Sequence, residues 1–486
     1  MRRKIVLLHT NDLHSHLDQA PYIHSIIEQQ KKEHPDDLVL VIDCGDHMDR
    51  MRLETEATDG IVNVALMNAA GYDYAVPGNN EGLTFTMDQL KAAAQKANYR
   101  ILGANMRRQD DENPDWLHGY DVVEDQGVRI GLLGVTIDFN DFYRLLGWEL
   151  EEPRGTVKKW FTSLQERRPC DMMIVISHLG IVHDRLLAEE EPGIDVILGA
   201  HTHHLLMHGE QVGKTLLAAT GKFGDYVGKV TLTYDIDRRE IVNREALCIP
   251  VIGSGYQPHP VSSHILQHYL HESKGRMKEQ VSELKEELDI HWGKESVLGN
   301  LLASGLQNWT KADIGLVNSG QILHNLPAGG ISREMILEIC PSPINPCLMQ
   351  LRGKDIREAL EQSLQLQYQQ KPIRGFGFRG EMLGNLSISG MRVYVDTQAP
   401  EGERIQQLAV VNDNGQELSW DDDAWYRVGT IDMFSFGIGY MSIQSGTVEQ
   451  FFVPEFIRDV LVRQLNQASE LEKARQRRWW DQTLSG

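Results

Sequence analysis

A chain of 486 residues is too long for one ordinary core, so two or three domains are expected. Its formal net charge of −21 excludes a surface built to hold nucleic-acid polymers, and no apolar run has the length of a membrane span. The five cysteines are scattered with no Cys-x-x-Cys, and too few apolar residues follow Met1-Arg2-Arg3-Lys4 for a signal peptide, so a reduced, cytoplasmic setting is expected.

From the start to about Leu198, short apolar runs alternate with helical periodicity. Ile5–Leu8 and Leu38–Ile42 have the length of buried strands, and Ile61, Val64, Ala65 and Asn68 fall at helical spacing. Tyr74–Val76, Ile101-Leu102, Ile130–Leu133, Met172–Ile176 and Asp195–Leu198 are further predicted strands, which makes this an α/β layer architecture. Two strands follow, over 227–234 and 239–249, and then a Gly/Pro-rich stretch over 250–260. A polar connecting helix is expected from about Ser262 to Glu287. The second domain mixes a helix at 355–366 with strands at 386–396, 404–412 and 424–430, and 454–480 is expected as a terminal helix. The expected division is 1–250, a linker with its helix over 251–295, and 296–486.

The chemistry gathers where the first domain's strands end. Strand one runs into Asp12 and His14, and a carboxylate and an imidazole two residues apart can turn toward one ion. The next ends deliver Asp46, then Asn79-Asn80-Glu81, then His178, then His201 and His203. In an open α/β sheet the ligand crevice lies at those carboxyl ends. Five strand ends each bearing metal-type ligands favour a metal site over incidental loop polarity. Gly45, Gly78 and Gly199 are expected to permit the sharp turns. His16 and His204 stay open between supporting a ligand and plain loop positions, as do His47 and Asp49 between orienting ligands and facing solvent.

These motifs, His9-Thr-Asn-Asp12-Leu-His14, Gly45-Asp46, Gly78-Asn79, Ser177-His178-Leu-Gly180 and Gly199-Ala-His201-Thr-His203, resemble the calcineurin-like metallophosphoesterases of the 5′-nucleotidase (UshA-like) family, most closely its YunD-like cytoplasmic branch. The resemblance implies a four-layer α/β/β/α sandwich and two divalent ions (Mn, Zn, Co or Fe). Asp12, His14 and His203 would hold one ion, Asn79, His178 and His201 the other, with Asp46 bridging. It implies hydrolysis of a phosphoester in a nucleotide or related small phosphoester by water activated between the ions. The family's Gly-Asn-His-Glu reads Gly78-Asn79-Asn80-Glu81 here, with Leu83 in place of a supporting Asp. Asn80 occupies the catalytic His position and can donate a hydrogen bond but not a proton.

Further stretches resemble the family's α/β substrate-binding domain: 317–320, 345–360, 386–390 and 434–440. There Tyr440 would be one stacking ring, Phe376 or Phe378 the second, and Asn318 part of the pocket. Leu323 stands where an arginine is usual, and Arg374 and Arg379 are the candidate replacements. A 2′,3′-cyclic nucleotide or nucleotide-pyrophosphate substrate stays open, as does a nucleotide-sensing protein with little turnover.

Overall fold

The computed structural model describes residues 1–110, 114–253, 255–412 and 414–484. Two compact units divide the chain, Met1–Lys274 and Gly275–Gly486.

In the first unit the strands are β1 (Arg2–Thr10), β2 (Leu38–Asp43), β3 (Tyr74–Ala75), β4 (Arg100–Leu102), β5 (Met106–Arg108), β6 (Leu117–His118), β7 (Tyr120–Asp125), β8 (Val128–Thr136), β9 (Trp148–Leu150), β10 (Met172–His178), β11 (Val196–Gly199), β12 (Glu210–Val212), β13 (Thr215–Ala218), β14 (Tyr226–Asp235) and β15 (Glu240–Pro250). One sheet has the order β15-β14-β1-β2-β3-β4-β6, the other β12-β13-β11-β10-β8-β7. β1 runs parallel to β2 and antiparallel to β14; β8, β10, β11 and β13 are mutually parallel.

Alternation along each strand explains the layers. Ile5 and Leu7 of β1 point into a core between the sheets, where they join Ile174, Ile176, Val196 and Leu198. Val6 and Leu8 point the other way, onto Ile23, Ile26 and Ile27 of the helix Ala20–Glu33. Across the second sheet, Val135, Val175 and Ile197 pack on Val157 and Leu187 of the helices Pro153–Arg167 and Ile181–Glu190. This is the α/β/β/α arrangement. Because its strands are buried on both faces, they read in sequence as continuous apolar runs.

The connecting helix is shorter than its polar composition implies. It spans Pro260–Met277, and Gln280–Leu284 (β16) then pairs with Gly329–Ser332 (β18). Strand pairing here overrides the helix propensity of the Glu- and Lys-rich stretch. The front of the helix is no free linker: Ile265, Leu266 and Tyr269 pack on Leu17, Ala20, Val62 and Leu66 within the first unit.

The second unit also holds β17 (Ile314–Asn318), β19 (Pro346–Arg352), β20 (Leu386–Ser389), β21 (Met391–Val395), β22 (Ile405–Val411), β23 (Glu417–Ser419), β24 (Trp425–Ile431), β25 (Thr447–Phe451) and β26 (Trp479–Asp481). The sheets β20-β17-β24-β19-β25 and β23-β22-β21-β26 share a core with Leu298, Leu301, Leu302 and Leu306 of the helix Val297–Thr310. The single strand expected over 386–396 breaks at Gly390, which has a left-handed φ of 72° and divides β20 from β21. The expected terminal helix is instead two short helices, Ile457–Leu465 and Ala468–Ala474, followed by β26, which docks beside β21. All five cysteines are free, and among the described residues no helix is long and apolar enough to cross a membrane.

Candidate metal centre

The two sheets of the first unit bring their carboxyl ends together. Beyond β1 and β2 the chain stays paired: Asp12 N donates to Gly45 O and His14 N to Asp46 O, each at 2.9 Å. This lays the first two ligand loops side by side. Glu81 then ties the third loop to the second, accepting from Asp46 N (3.0 Å), Met48 N (2.7 Å) and Gly78 N (2.9 Å). From the other sheet, His201 N donates to the Asp12 carboxylate at 3.0 Å.

Seven non-glycine residues around this site hold left-handed φ values: Asp12 (51°), His14 (46°), Ser15 (52°), Asp46 (54°), His201 (71°), His203 (57°) and Phe223 (62°). Each costs about 1–3 kcal/mol relative to ordinary backbone, and strain of this kind collects where side chains must be aimed. Of the glycines assigned to the turns, Gly45 alone uses positive φ, at 97°. Gly78 and Gly199 are there for space: a Cβ on Gly78 would lie 2.1 Å from Asp46 Oδ1, and one on Gly199 2.5 Å from Asp184 Oδ2. Gly78→Ala is therefore expected to displace Asp46 and weaken Mn²⁺ binding about 10–100-fold. A Mn²⁺ titration indistinguishable from the parent's would contradict this.

Two groups converge closely enough for an ion. In each of Asp12/His14/His203 and Asp12/Asp46/His178, the potential ligand atoms lie within 4.8 Å of one another. His14 Nε2 and His203 Nε2 are 3.1 Å apart, and His203 Nε2 is 3.6 Å from Asp12 Oδ1. Asn79 Oδ1 lies 2.8 Å from His201 Nδ1 and 3.3 Å from His178 Nε2. Asp46 stands between: Oδ2 is 3.9 Å from His14 Nε2, and Oδ1 is 3.4 Å from His178 Nε2. All seven residues that the sequence offers as candidate ligands thus meet in one place.

The donor set fits divalent cations. Burial, followed by the His178 charge, pushes the His201 imidazole down to about 4. Burial followed by His14 does the same to His203, also to about 4. Both are neutral near pH 7, which is the ligating form. Burial opposes ionisation of Asp46, but His178 and His14 outweigh it and hold the carboxyl well below the usual range. Burial also opposes protonation of His178, yet Asp46 raises it to about 10, so a cation bound beside Asp46 would have to displace that proton. His178 Nδ1 donates to Cys44 O at 2.8 Å, which leaves Nε2 for the site. Two imidazole nitrogens facing each other at 3.1 Å beside two buried carboxylates form a cage that a cation completes.

The residues around the ligands whose roles the sequence left open take definite places. Asp49 is buried with Oδ2 3.5 Å from His14 Nδ1, so of its two open readings it has the orienting one. His47 is buried against Asn63 rather than facing solvent. His16 stacks on Phe223 with centroids 3.9 Å apart, whereas His204 is exposed and bonds Thr202. The Asn80 amide lies 2.9 Å from His14 Nδ1 and donates to Met48 O at 3.2 Å, and the Asn80 backbone N donates to Asp46 Oδ1 at 2.8 Å.

In the second unit the expected substrate residues separate into internal and open ones. Tyr440 is 0% exposed and donates to Gly384 O, so it presents no open ring. Phe378 is buried, and Asn318 is buried with its amide donating to Leu383 O. Phe376, at 54% exposed, lies 5.9 Å from Phe436, at 39%, in an open aromatic pair. Arg374 is exposed, and Arg379 is half-buried with its guanidinium donating to Phe378 O.

Comparison with known proteins follows this division. The family model described as calcineurin-like phosphoesterase matches residues 5–205, and that described as 5′-nucleotidase, C-terminal domain, matches 275–443. The chain is 36% identical to the metallophosphoesterase YunD of Bacillus subtilis, over 96% of this chain and 100% of that protein. It is 24% identical to a 5′-nucleotidase of Rattus norvegicus, over 84% of this chain and 78% of the relative. Among solved structures, the NAD nucleotidase of Haemophilus influenzae superposes with a TM-score of 0.65 at 14% identity, covering 99% of this chain and 97% of that one.

Proposed function

The chain belongs to the calcineurin-like phosphoesterases that carry a 5′-nucleotidase C-terminal domain, and from that premise we propose that it hydrolyses a phosphoester bond in a nucleotide or related small phosphoester. Metal-dependent phosphoesterase chemistry fits its two ligand clusters. The observation that carries the proposal is the placement of Asp46, one carboxylate facing His14 with one oxygen and His178 with the other.

In this reading Asp12, His14 and His203 would hold one ion, Asn79, His178 and His201 the other, and Asp46 would serve both. Two divalent ions held there would supply the charge that lowers the pKa of a water and neutralises the phosphoryl oxygens. The chain's own part is alignment. Cys44 O fixes the His178 ring, Asp49 fixes His14, and Glu81 fixes the backbone of Asp46 and Gly78. Asn80 supplies a polar side chain next to His14 but no transferable proton.

A nucleotide as substrate is supported by the open Phe376–Phe436 pair, whose rings suit a nucleobase, and by the rat relative's description as a 5′-nucleotidase. The reading places the protein in the cytoplasm, supported by its five free thiols. The test is turnover of p-nitrophenyl phosphate by protein stripped with a chelator and then reloaded. Activity is expected to fall to background on stripping and to return with Mn²⁺ or Co²⁺. Full activity in excess chelator would refute the proposal.

A further inference from the structure

Beyond β13, the loop Thr220–Gly224 carries a cation that the chemistry above does not use. It is fastened to the loop of Asp12: Thr220 N and Oγ1 donate to Asn11 Oδ1 at 2.8 and 2.6 Å, and Asn11 Nδ2 donates to Gly221 O at 2.7 Å. Phe223 N donates to Asp12 O at 2.8 Å, and Gly221 N donates to His204 O at 2.9 Å. Lys222 is thereby held between the segment that delivers Asp12 and His14 and the segment that delivers His203. Its ammonium lies 4.3 Å from the centroid of the Phe223 ring, and that ring meets His14 edge-on at 6.0 Å. The left-handed φ of 62° at Phe223, unusual for an aromatic residue, keeps the ring in this place.

Lys222 is half-buried, and among the described residues no carboxylate pairs with it. That is notable in a chain with 69 acidic residues against 48 Lys and Arg. An ammonium held beside the candidate metal centre with no carboxylate on it suits an anion. The field of Lys222 reaches His203, where it adds to the effects of burial and of His14.

We propose that Lys222, backed by Phe223, binds a second anionic group of the substrate, the phosphate adjoining the reacting phosphoryl group, so that the site favours phosphoanhydrides over monoesters. This rests on the dinuclear reading of the same site. It also accounts for Asn80. In a phosphoanhydride the water oxygen forms the new P–O bond and the bridging P–O bond breaks. The bridging oxygen keeps the electron pair as a terminal oxygen of the departing phosphate, and the water's protons pass to solvent and the product phosphates. Phosphate departs readily as an anion and needs no acid at position 80, whereas an alkoxide does.

The test compares the parent, Lys222→Met and Lys222→Arg on adenosine diphosphate and on p-nitrophenyl phosphate. Lys222→Met is expected to raise KM for the diphosphate about tenfold with kcat nearly kept, to change neither constant for the aryl phosphate more than twofold, and to be rescued by Lys222→Arg. A readout independent of turnover is calorimetric binding of methylenediphosphonate, expected to weaken about tenfold in Lys222→Met while inorganic phosphate binding holds. Equal losses on both substrates, or an unchanged diphosphonate affinity, would overturn the proposal. A parent inert on every substrate with every metal would instead overturn the hydrolase reading, with diphosphonate binding still deciding for or against Lys222.

Discussion

Asp46→Asn is expected to lower turnover of p-nitrophenyl phosphate about a thousandfold and to reduce the bound metal below two ions per chain. The carboxylate faces His14 through one oxygen and His178 through the other, so it stands between the two clusters, which also share Asp12. An amide offers a single oxygen and no charge, and it cannot satisfy two cations. Loss of several kcal/mol of charge stabilisation corresponds to about three powers of ten in rate. The fold should survive, because Glu81 holds the Asp46 backbone rather than its side chain, and Asn80 N can still donate to an amide oxygen. Steady-state kinetics, elemental analysis and a melting curve on the same sample check all three points. Activity within tenfold of the parent would show that Asp46 does not bridge.

Asn80→His is expected to raise the rate on a nucleoside monophosphate about a hundredfold while changing p-nitrophenyl phosphate only severalfold. A general acid contributes about 10²–10⁴ where the leaving group is a poor one and little where it is good. The lower end applies because position 83 holds Leu in place of the acid that supports such an imidazole in the resembled motif. Asn80 is only partly buried at the start of the helix Asn79–Thr84, so a larger ring can be accommodated next to His14. A rate on the monophosphate that is unchanged or lower would mean that the position does not limit proton donation.

The first unit was largely legible from its residues, for a physical reason. Strands buried on both faces leave unbroken apolar runs such as Ile5–Leu8 and Met172–Ile176, and each ends where its ligands begin. Asp12, His14, Asp46, Asn79, His178, His201 and His203 could therefore be placed together before any geometry was known. The backbone price of that gathering was not legible. Left-handed Asp46 and His203 look like any other loop residues in a sequence, where glycines are the expected turn formers, yet Gly78 and Gly199 serve to clear space. Lys222 and Phe223 were missed because their relation to Asp12 runs through hydrogen bonds across about 210 residues of chain. In the second unit, motif position did not convey exposure. Tyr440 falls in an expected stretch and Phe378 just upstream of another, yet both are buried, whereas Phe436 is open beside Phe376.

The proposed chemistry requires two ions that share Asp46. Anomalous diffraction at the manganese edge from crystals of the Mn²⁺-loaded protein tests it most directly. Two peaks ~3.5–4 Å apart with the Asp46 carboxylate between them are expected. A single peak, or two peaks with Asp46 bound to one alone, would contradict it.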